Sequence, residues 1–494
     1  MGVRRRAPRR AAGRLDRVEL VEVDARGGSG ADHPDAPPRG ADLTATDNPW
    51  PAARVDEPSA LPHRVRRWGP VAAVAVVVLL AASLVVDARS RERAARLAEV
   101  PGVLAPLDGA PTELWRAEDL PEPAISVLGG TGWFATDDVL VAVGLRDDGE
   151  AVAAALDRTD GSAVWTASLA EATERVAYRP VDCVLPRDPA GVTVLTCLVA
   201  DVSVTETSVG SDGATTTEAQ YRYRLVRVDL RTGEVLETRE VGDAAALVEL
   251  DGDLVLATHE PGSDIQVTRL DPAGEERWTA TVAVEQSAPV SVYLLPSAGI
   301  LQVSTGQGAP ITLDPTTGKE MSPLQSLDNL FAWPVAVDDG STGVRVVVDL
   351  NSVSLQVQDP VQGTTLWTQP ISSTSLDLQI LLVRDRLVLR EGTSDGTGSQ
   401  QVTSYDARTG VEQFSLPEPP ATYGSSGSDA GAIVTDGSVL VRQELPEGLR
   451  TFVAYDFDDG TPRWSTPMPS GTSDFAVAGG LLLARAGSSV VALG

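Results

Sequence analysis

Two cysteines and three histidines are the residues with the most reactive side chains in this chain of 494 residues. Cys183 and Cys197 flank the turn sequence PRDPAG, so the two side chains should face each other across a hairpin, at a distance that a disulfide can bridge. The histidines His33, His63 and His259 have no companions nearby in the sequence. So few nitrogen and sulfur ligands make a zinc site nearly impossible. The expectation is one disulfide, no metal site and no catalytic residue.

A short sequence pattern is repeated along the chain. An apolar or aromatic residue precedes an aspartate, a glycine lies three or four residues after the aspartate, and a bulky residue, often Trp, lies a few residues after the glycine. The aspartates are Asp157, Asp229, Asp271, Asp314, Asp359, Asp406 and Asp456, at spacings of 72, 42, 43, 45, 47 and 50. The glycines are Gly161, Gly233, Gly274, Gly318, Gly363, Gly410 and Gly460, four residues after the aspartate except for Gly274, which is three residues after it. The regular spacing predicts a repeat array.

The Asp-x-x-x-Gly phrase is typical of a tight turn between two strands. The carboxylate can accept hydrogen bonds from the backbone amides that follow it, and glycine tolerates the positive φ that closes the turn. A calcium loop is the alternative, but it needs oxygen ligands at several alternate positions and an acid near position 12, which these copies lack.

A period of 42–50 residues with about four short strands in each period is typical of a β-propeller blade. Seven complete units run from about Ile125 to Met468. The segment Asp474–Leu493 supplies three further strands, and Thr112–Trp115 can supply the missing fourth. We therefore expect an all-β, eight-bladed propeller closed by its N- and C-terminal strands, an architecture like that of WD40 and YVTN rings.

The phrase L-D-x-x-T-G-x-x-x-W resembles the repeat of pyrroloquinoline-quinone-type (PQQ-like) propellers, and it is clearest in Asp157–Trp165, Asp406–Phe414 and Asp456–Trp464. That family includes quinoprotein dehydrogenases and the lipoprotein subunit of the outer-membrane protein assembly machine. The resemblance covers about residues 107–494. It implies that the tryptophans dock each blade against its neighbour. These residues are Trp115, Trp165, Trp278, Trp367 and Trp464.

The resemblance leaves two functions to compare. A quinone-dependent dehydrogenase would need an adjacent Cys-Cys pair over its cofactor, a calcium site and a catalytic Asp, whereas Cys183 and Cys197 are 14 residues apart. The main expectation is therefore a non-enzymatic interaction scaffold or sensor module without a cofactor. The long insertions 201–220 and 391–400 lie on one face of the predicted ring, and we expect a protein partner there.

The N-terminal part has a different character. Residues 1–68 are rich in Arg and Pro and predict a disordered tail. Residues 69–86 carry no charge and are long enough for a single transmembrane helix, followed by a stalk over 87–106 and the propeller over 107–494. Four arginines lie within about 20 residues of each end of the apolar run, so this count does not orient the helix.

The charge balance supports one orientation. The net charge of −29 divides into +3 for residues 1–68 and −32 for residues 87–494. The large acidic region carries the cysteine pair, and the tail carries nine more arginines, so we expect the tail in the cytoplasm and the propeller outside it. An acidic ring also excludes nucleic acid as a main partner, because binding phosphates requires a basic surface.

Overall fold

The structure is a computed structural model of the chain, which divides into two compact units, 1–75 and 76–494. All the residues that the structure describes belong to the second unit. They are 92, 96–123, 132–172, 179–186, 194–209, 215–260, 262–284, 291–297, 299–305, 310–321, 330–333, 335–349, 351–371, 378–392, 400–416, 432–444, 449–472, 474–486 and 488–494. For residues 202–209, 215–220, 400 and 474 only the backbone is described.

The strands form eight separate sheets, the blades of the propeller. Blade 8 takes its outer strand from the start of the domain, and the other blades follow in chain order. The strands are β1 Glu113–Ala117 in blade 8; β2 Glu122–Pro123, β3 Trp133–Ala135, β4 Val139–Leu145, β5 Ala151–Asp157 and β6 Ala163–Ala170 in blade 1; β7 Val181–Val184, β8 Val194–Val209, β9 Thr215–Asp229 and β10 Val235–Gly242 in blade 2; β11 Ala244–Leu250, β12 Asp253–His259, β13 Ile265–Leu270 and β14 Glu276–Val282 in blade 3; β15 Tyr293–Ser297, β16 Ile300–Ser304 and β17 Ile311–Leu313 in blade 4.

The second half of the ring continues the same pattern. The remaining strands are β18 Leu330–Ala332, β20 Arg345–Asp349, β21 Ser354–Gln358 and β22 Thr365–Pro370 in blade 5; β19 Val337–Asp338, β23 Leu378–Val383, β24 Arg386–Gly392, β25 Gln400–Asp406 and β26 Glu412–Ser415 in blade 6; β27 Ile433–Thr435, β28 Val439–Glu444, β29 Thr451–Asp456 and β30 Pro462–Pro467 in blade 7; β31 Asp474–Ala478, β32 Leu481–Ala486 and β33 Ser489–Leu493 in blade 8.

The burial of each strand follows its place in the blade. Strand β4 (VLVAVGL) is apolar throughout, and its five central residues are buried, because neighbouring blades cover both of its faces. The outer strand β22 (TLWTQP) has no buried residue, and only Trp367 and Gln369 are partly covered. The largest core cluster joins Val141 of blade 1 to Leu195 of blade 2. The hydrophobic core is thus divided among the seams between blades.

The ring closes by pairing its first strand with its last. Strand β1 runs antiparallel to β33, with Trp115 opposite Ala492 and Ala117 opposite Val490. The prediction of an eight-bladed, all-β propeller joined by its two ends is confirmed, with the N-terminal strand extending two residues beyond the expected Trp115.

Some blades depart from the predicted four strands. Within the described residues blade 4 has three strands and one isolated bridge, Leu313 to Glu320. Blades 1 and 6 have five strands each. In blade 1 both Glu122–Pro123 and Trp133–Ala135 pair with β4, and in blade 6 Val337–Asp338 pairs in parallel with the inner strand β23.

The segment that precedes β1 is attached to one face of the ring. The amide of Leu104 donates to the carbonyl of Thr435 in blade 7 (2.8 Å), and the amide of Ala105 donates to the carbonyl of Gly480 in blade 8 (2.8 Å). The amide of Leu107 donates to the carboxylate of Asp436 (2.8 Å). The chain therefore enters the ring on the face that carries the first turn of each blade.

The apolar run 69–86 lies outside the described residues, so the predicted transmembrane helix stays a prediction. In the part of the chain that the structure describes, no helix is long and apolar enough to cross a membrane.

Removing Asp474–Gly494 should abolish the folded state. The deletion leaves β1 without a partner and exposes the cores that blade 8 shares with blades 7 and 1. We expect loss of the cooperative thermal transition measured by near-UV circular dichroism. A deletion of residues 394–398, which removes only part of a connection between two strands, should keep that transition. A truncated protein with the melting temperature of the full chain would contradict closure by β33.

Candidate functional site

The seven segments, six Asp-x-x-x-Gly and one Asp-x-x-Gly (Asp271–Gly274), each form a turn that leads to the outer edge of a blade. In blade 4 the turn leads to the bridge residue Glu320 rather than to a fourth strand. In blade 6 the Asp406 carboxylate accepts hydrogen bonds from the amides of Arg408 (3.2 Å) and Thr409 (2.8 Å), and from the Thr409 hydroxyl (2.7 Å). The amide of Gly410 donates to the Asp406 carbonyl (2.9 Å), and Gly410 has a φ of +70° that glycine adopts without strain. The residues act as a structural turn.

These turns lie on the same face as the turns between the first and second strands. The amide of Phe457 donates to the carbonyl of Ser438 (2.9 Å), which joins the two turns of blade 7. Between blades, the Arg384 guanidinium donates to the Gly437 carbonyl (2.5 Å) and to the Asp458 carboxylate (3.1 Å). We call this the turn face.

Four tryptophans on outer strands bind the turn of the next blade in one shared geometry. Each indole Nε1–H donates to the carbonyl of the residue that follows the turn aspartate. The pairs are Trp115 with Arg158 (3.0 Å), Trp165 with Leu230 (2.8 Å), Trp278 with Pro315 (3.0 Å) and Trp367 with Ala407 (2.9 Å). A one-residue bulge in each outer strand, just before the tryptophan, aims the ring along the seam.

The turn glycine is the second half of this contact. The indole of Trp165 lies so close to Gly233 that a β-carbon there would stand 2.7 Å from the ring. The corresponding distances are 2.4 Å at Gly161, 2.5 Å at Gly318 and 2.7 Å at Gly410. Glycine is therefore required in these four turns by the neighbouring blade as well as by the backbone.

Two seams use other side chains for the same position. Phe414 lies against Gly460. Because its ring has no N–H group, it does not need a carbonyl acceptor in the neighbouring turn. In blade 2 the register places Glu237, not Leu236, at the position of the tryptophan. Glu237 pairs with Arg227 (3.4 Å), and Arg227 donates to the Pro272 carbonyl (3.4 Å). Arg227 thus replaces the indole, a role that the sequence pattern did not show because Arg227 lies on the third strand.

At two further seams, the described residues show no contact between a docking side chain and the turn of the next blade. Gly363 of blade 5 faces open space, and Val361 in the same turn is 93% exposed. Trp464 of blade 7 has no hydrogen-bond partner for its buried Nε1.

The two cysteines form a disulfide on the inner side of blade 2. Cys183 on β7 lies directly opposite Cys197 on β8, with their Cα atoms 4.0 Å apart, and Cys197 is fully buried. The bond links the two innermost strands of the blade.

The described residues do not fit a quinone cofactor with calcium. The disulfide joins residues on two different strands rather than adjacent residues, and its buried half packs in the core between blades 1 and 2. Across the described parts of the chain, no group of three or more His, Cys, Asp or Glu side chains is placed to hold a metal ion. We therefore derive no step through such a cofactor.

The insertion 201–220 forms a β-ribbon. Strands β8 and β9 pair continuously from Val194 opposite Asp229 to Val209 opposite Thr215, apart from one irregularity. The second insertion, 391–400, begins with Gly392 opposite Gln400 and continues into residues outside the described ones. Both connect the second and third strands of their blades, so they lie on the face opposite the turn face, which we call the ribbon face.

Hydrogen bonds stabilise the ionised form of the turn aspartates. The Thr159 hydroxyl, and after it the Thr159 amide, lowers the pKa of Asp157 below its ordinary value. The Thr409 hydroxyl and amide lower the pKa of Asp406 in the same way. The negative charges are therefore part of the turns themselves.

Gly233→Ala should lower the melting temperature more than Gly363→Ala. Both glycines have positive φ, +74° and +67°, so the backbone cost of alanine is shared, but only Gly233 lies against an indole. The packing term should add about 1–3 kcal/mol of destabilisation at Gly233. Thermal unfolding of the two variants measures the difference, and equal losses would contradict the role of the Trp165 contact.

The stability that these turn carboxylates contribute should depend on pH in one direction. A carboxyl whose folded pKa lies below about 3.8 stabilises the fold above that pH and loses the effect as the pH falls through the folded value. Asp406→Asn keeps an acceptor oxygen but does not titrate. We expect the gap in melting temperature between the native chain and this variant to be constant from about pH 7 to pH 5, and to narrow as the pH falls from about 5 to 2. A gap that is constant over that range would contradict the assignment.

Comparison with known proteins agrees with the propeller fold. A family model described as outer membrane protein assembly factor BamB matches residues 263–482, somewhat less than half of the chain, so this part of the ring is similar to PQQ-like propeller repeats. The quinohemoprotein alcohol dehydrogenase ADHIIG from Pseudomonas putida HK5 is 13% identical over 81% of each chain, with a TM-score of 0.43. A europium-containing methanol dehydrogenase is 12% identical over 76% of this chain and 84% of that chain, with a TM-score of 0.41. The quinohemoprotein alcohol dehydrogenase from Comamonas testosteroni is 11% identical over 82% of this chain and 83% of that chain, with a TM-score of 0.43. No curated protein matches the chain.

These likenesses correct one expectation from the sequence. The conclusion that the chain is not an enzyme is contradicted, because the solved structures that resemble it include quinoprotein alcohol and methanol dehydrogenases. At 11–13% identity the likeness concerns the fold alone.

Proposed function

We propose that this chain is a protein-docking platform of the cell envelope, anchored by residues 69–86 with the propeller outside the cytoplasm, and that the blade 2 ribbon binds the partner. The proposal rests on the unusual length of the two strands that form the ribbon. Strands β8 and β9 have 16 and 15 residues, whereas the second strands of the other blades have five to seven.

The ribbon offers backbone groups for binding. Beyond Ala200 and Tyr223, its two strands pair only with each other among the described residues, over 201–209 and 215–222. At about 3.3 Å per residue, the arm extends roughly 30 Å past the blade. The outer edges of such a ribbon carry N–H and C=O groups that can add a strand from another chain.

The sequence of the ribbon indicates the kind of strand that would fit. Residues 201–220 contain four acidic residues and no Lys or Arg, with many Val and Thr residues that favour extended backbone. We infer an extended partner segment that carries basic side chains, since opposite charges on adjacent strands stabilise the pairing.

The face on which the ribbon lies supports this role. Residues 104–107 attach to the turn face, so the ribbon extends from the opposite side of the ring. The described segment before β1 therefore does not cover the ribbon face.

The test replaces residues 204–219 with Asn-Gly. Ser203 and Gln220 are opposite each other, so a two-residue turn can join them without changing the register of the blade. Intact cells that carry the native or the shortened chain are treated with a membrane-impermeant cross-linker, and the cross-linked products are compared by mass spectrometry. We expect a partner in the native sample that the shortened chain loses.

Controls separate binding from folding and location. The shortened chain should keep the melting temperature of the native ring, and a variant without residues 394–398 should keep the partner. The same partner in both samples would exclude the ribbon, and no reaction with the impermeant reagent would exclude the proposed location. Dye reduction with an alcohol, quinone and calcium, assayed on the same preparations, tests the alternative dehydrogenase function.

A further inference from the structure

The turn of blade 5 repeats a turn that binds tryptophan elsewhere in the ring. The turn sequences are DPTTG in blade 4, residues 314–318, and DPVQG in blade 5, residues 359–363. In both turns the amides two and three residues after the aspartate donate to its carboxylate at 2.8–3.0 Å. The closing glycines have nearly equal φ values, +69° for Gly318 and +67° for Gly363. The two turns therefore present a similar backbone surface.

The turn of blade 4 shows what this surface binds. The Nε1–H of Trp278, from blade 3, donates to the Pro315 carbonyl (3.0 Å), and the Arg269 guanidinium donates to the same oxygen (2.7 Å). A carbonyl oxygen has two lone pairs, so it can accept both donors. The indole covers Gly318, where a β-carbon would stand 2.5 Å from the ring. A backbone carbonyl and a bare glycine are thus what the tryptophan binds.

In blade 5 the same surface is exposed. Gly363 is exposed, whereas Gly318 is buried, and Val361 in the blade 5 turn is 93% exposed. Among the described residues, no atom lies within 4 Å of a β-carbon placed at Gly363. A side chain from another molecule can therefore reach this turn.

The acceptor in this turn is the carbonyl of Pro360. It accepts a hydrogen bond from Arg345 of its own blade (3.2 Å). Pro315 shows that a turn carbonyl bonded to an arginine can accept an indole N–H as well. The arginine at Pro360 therefore leaves room for a second donor.

The preceding blade fills its docking position without reaching this turn. The amide of Met321 donates to the carbonyl of Thr312 (2.9 Å), two residues before the turn aspartate of blade 4. Trp278 lies opposite Arg269, which is also two residues before its turn aspartate. Met321 is therefore at the docking position, but it packs on the small core cluster around Ile300 and has no N–H group to donate.

We propose that the blade 5 turn is a docking site for a tryptophan side chain of a partner protein. The Nε1–H of that tryptophan donates to the Pro360 carbonyl beside Arg345, and its ring lies over Gly363, as Trp278 lies over its own turn. Tryptophan fits better than phenylalanine, because phenylalanine has no donor for the carbonyl.

The site goes beyond the function proposed for the blade 2 ribbon. It lies on the turn face of blade 5, whereas the ribbon extends from the opposite face, so either proposal can fail without the other. Every tryptophan of the described residues is at least partly buried, so a second copy of the described ring has no exposed indole to offer. The occupant is therefore assigned to a different protein.

The experiment observes a docking tryptophan directly. The probe is a synthetic peptide with the sequence of residues 275–282, EERWTATV, in which 5-fluorotryptophan replaces Trp278. Its ¹⁹F resonance is followed while the whole native chain is added. We expect a saturable shift with a Kd in about the millimolar range, and no saturable shift for a peptide with 4-fluorophenylalanine at the same position.

Two glycine variants locate the binding. Gly363→Ala places a β-carbon where the indole should lie, so it should weaken binding by at least about tenfold. Gly262→Ala is the matched control, because Gly262 also has a positive φ, +80°, and no described atom within 4 Å of a β-carbon, but lies in blade 3. This control should bind the peptide as the native chain does.

A second pair of variants blocks the site from within the chain. Met321→Trp supplies an indole at the docking position of blade 4 and should prevent peptide binding, whereas Met321→Leu should leave it unchanged. Circular dichroism checks that both variants are folded. A folded Met321→Trp chain that binds the peptide with native affinity would contradict the proposal.

Four results of the peptide titration would also overturn it. They are no shift with the native chain, equal affinity of the native and Gly363→Ala chains, equal binding of the phenylalanine peptide, and binding that appears only after Trp50→Phe and Trp68→Phe. The last result would make a tryptophan of the chain itself the occupant.

Discussion

The antiparallel pairing of β1 with β33 is the contact on which the ring depends. Blades 1 to 7 are built from strands that follow one another closely in the sequence, so their pairing is local. The one exception among the described strands is the short parallel strand of blade 6. Among the described strands, it is blade 8 that joins residues as distant as Arg116 and Val491. Strand β1 also carries Trp115, which binds the turn of blade 1, so one strand completes its own blade and seals the next seam. Because a blade cannot bury its faces alone, stability depends on this closure.

The seams show why the repeat can vary without loss of the fold. Each seam contact joins a docking side chain of one blade to the turn of the next blade. The turn contributes only a backbone carbonyl and a glycine, and hydrogen bonds within the turn fix the positions of both. The docking half can then be Trp, Phe or, through Arg227, a guanidinium. The turn of blade 5 keeps its hydrogen bonds at Asp359 although no described residue lies against Gly363. The turn itself therefore does not depend on a docking side chain from the preceding blade.

The fold could be predicted from the sequence because its determinants are local. The spacing of the turn aspartates defined the blades, and the unmatched strands at the two ends predicted the eighth blade, which the structure contains. Arg227 could not be predicted, because its role arises from a register that places Glu237, one residue after Leu236, at the docking position. Segment 201–220 was interpreted as a loop insertion because it interrupts the regular spacing of the repeat, whereas its described residues form two paired strands. Enzyme activity was judged unlikely from the spacing of the cysteines, the lack of a recognisable ligand cluster and the low aromatic content, and the comparisons contradict that judgement.

The acidity of the ring follows from its construction. Each blade turn uses an aspartate whose oxygens accept several amide hydrogen bonds, as at Asp314, Asp359 and Asp406, and the bonds that lower the pKa of Asp406 keep it ionised. These charges lie on the turn face, where arginines from neighbouring turns, such as Arg384 beside Asp458, neutralise part of them. Segment 201–220 adds four acidic residues, and the first of them, Asp201, forms an ion pair with Arg224. The acidity of the ring therefore has two sources, and the turn aspartates are the part that the fold itself requires.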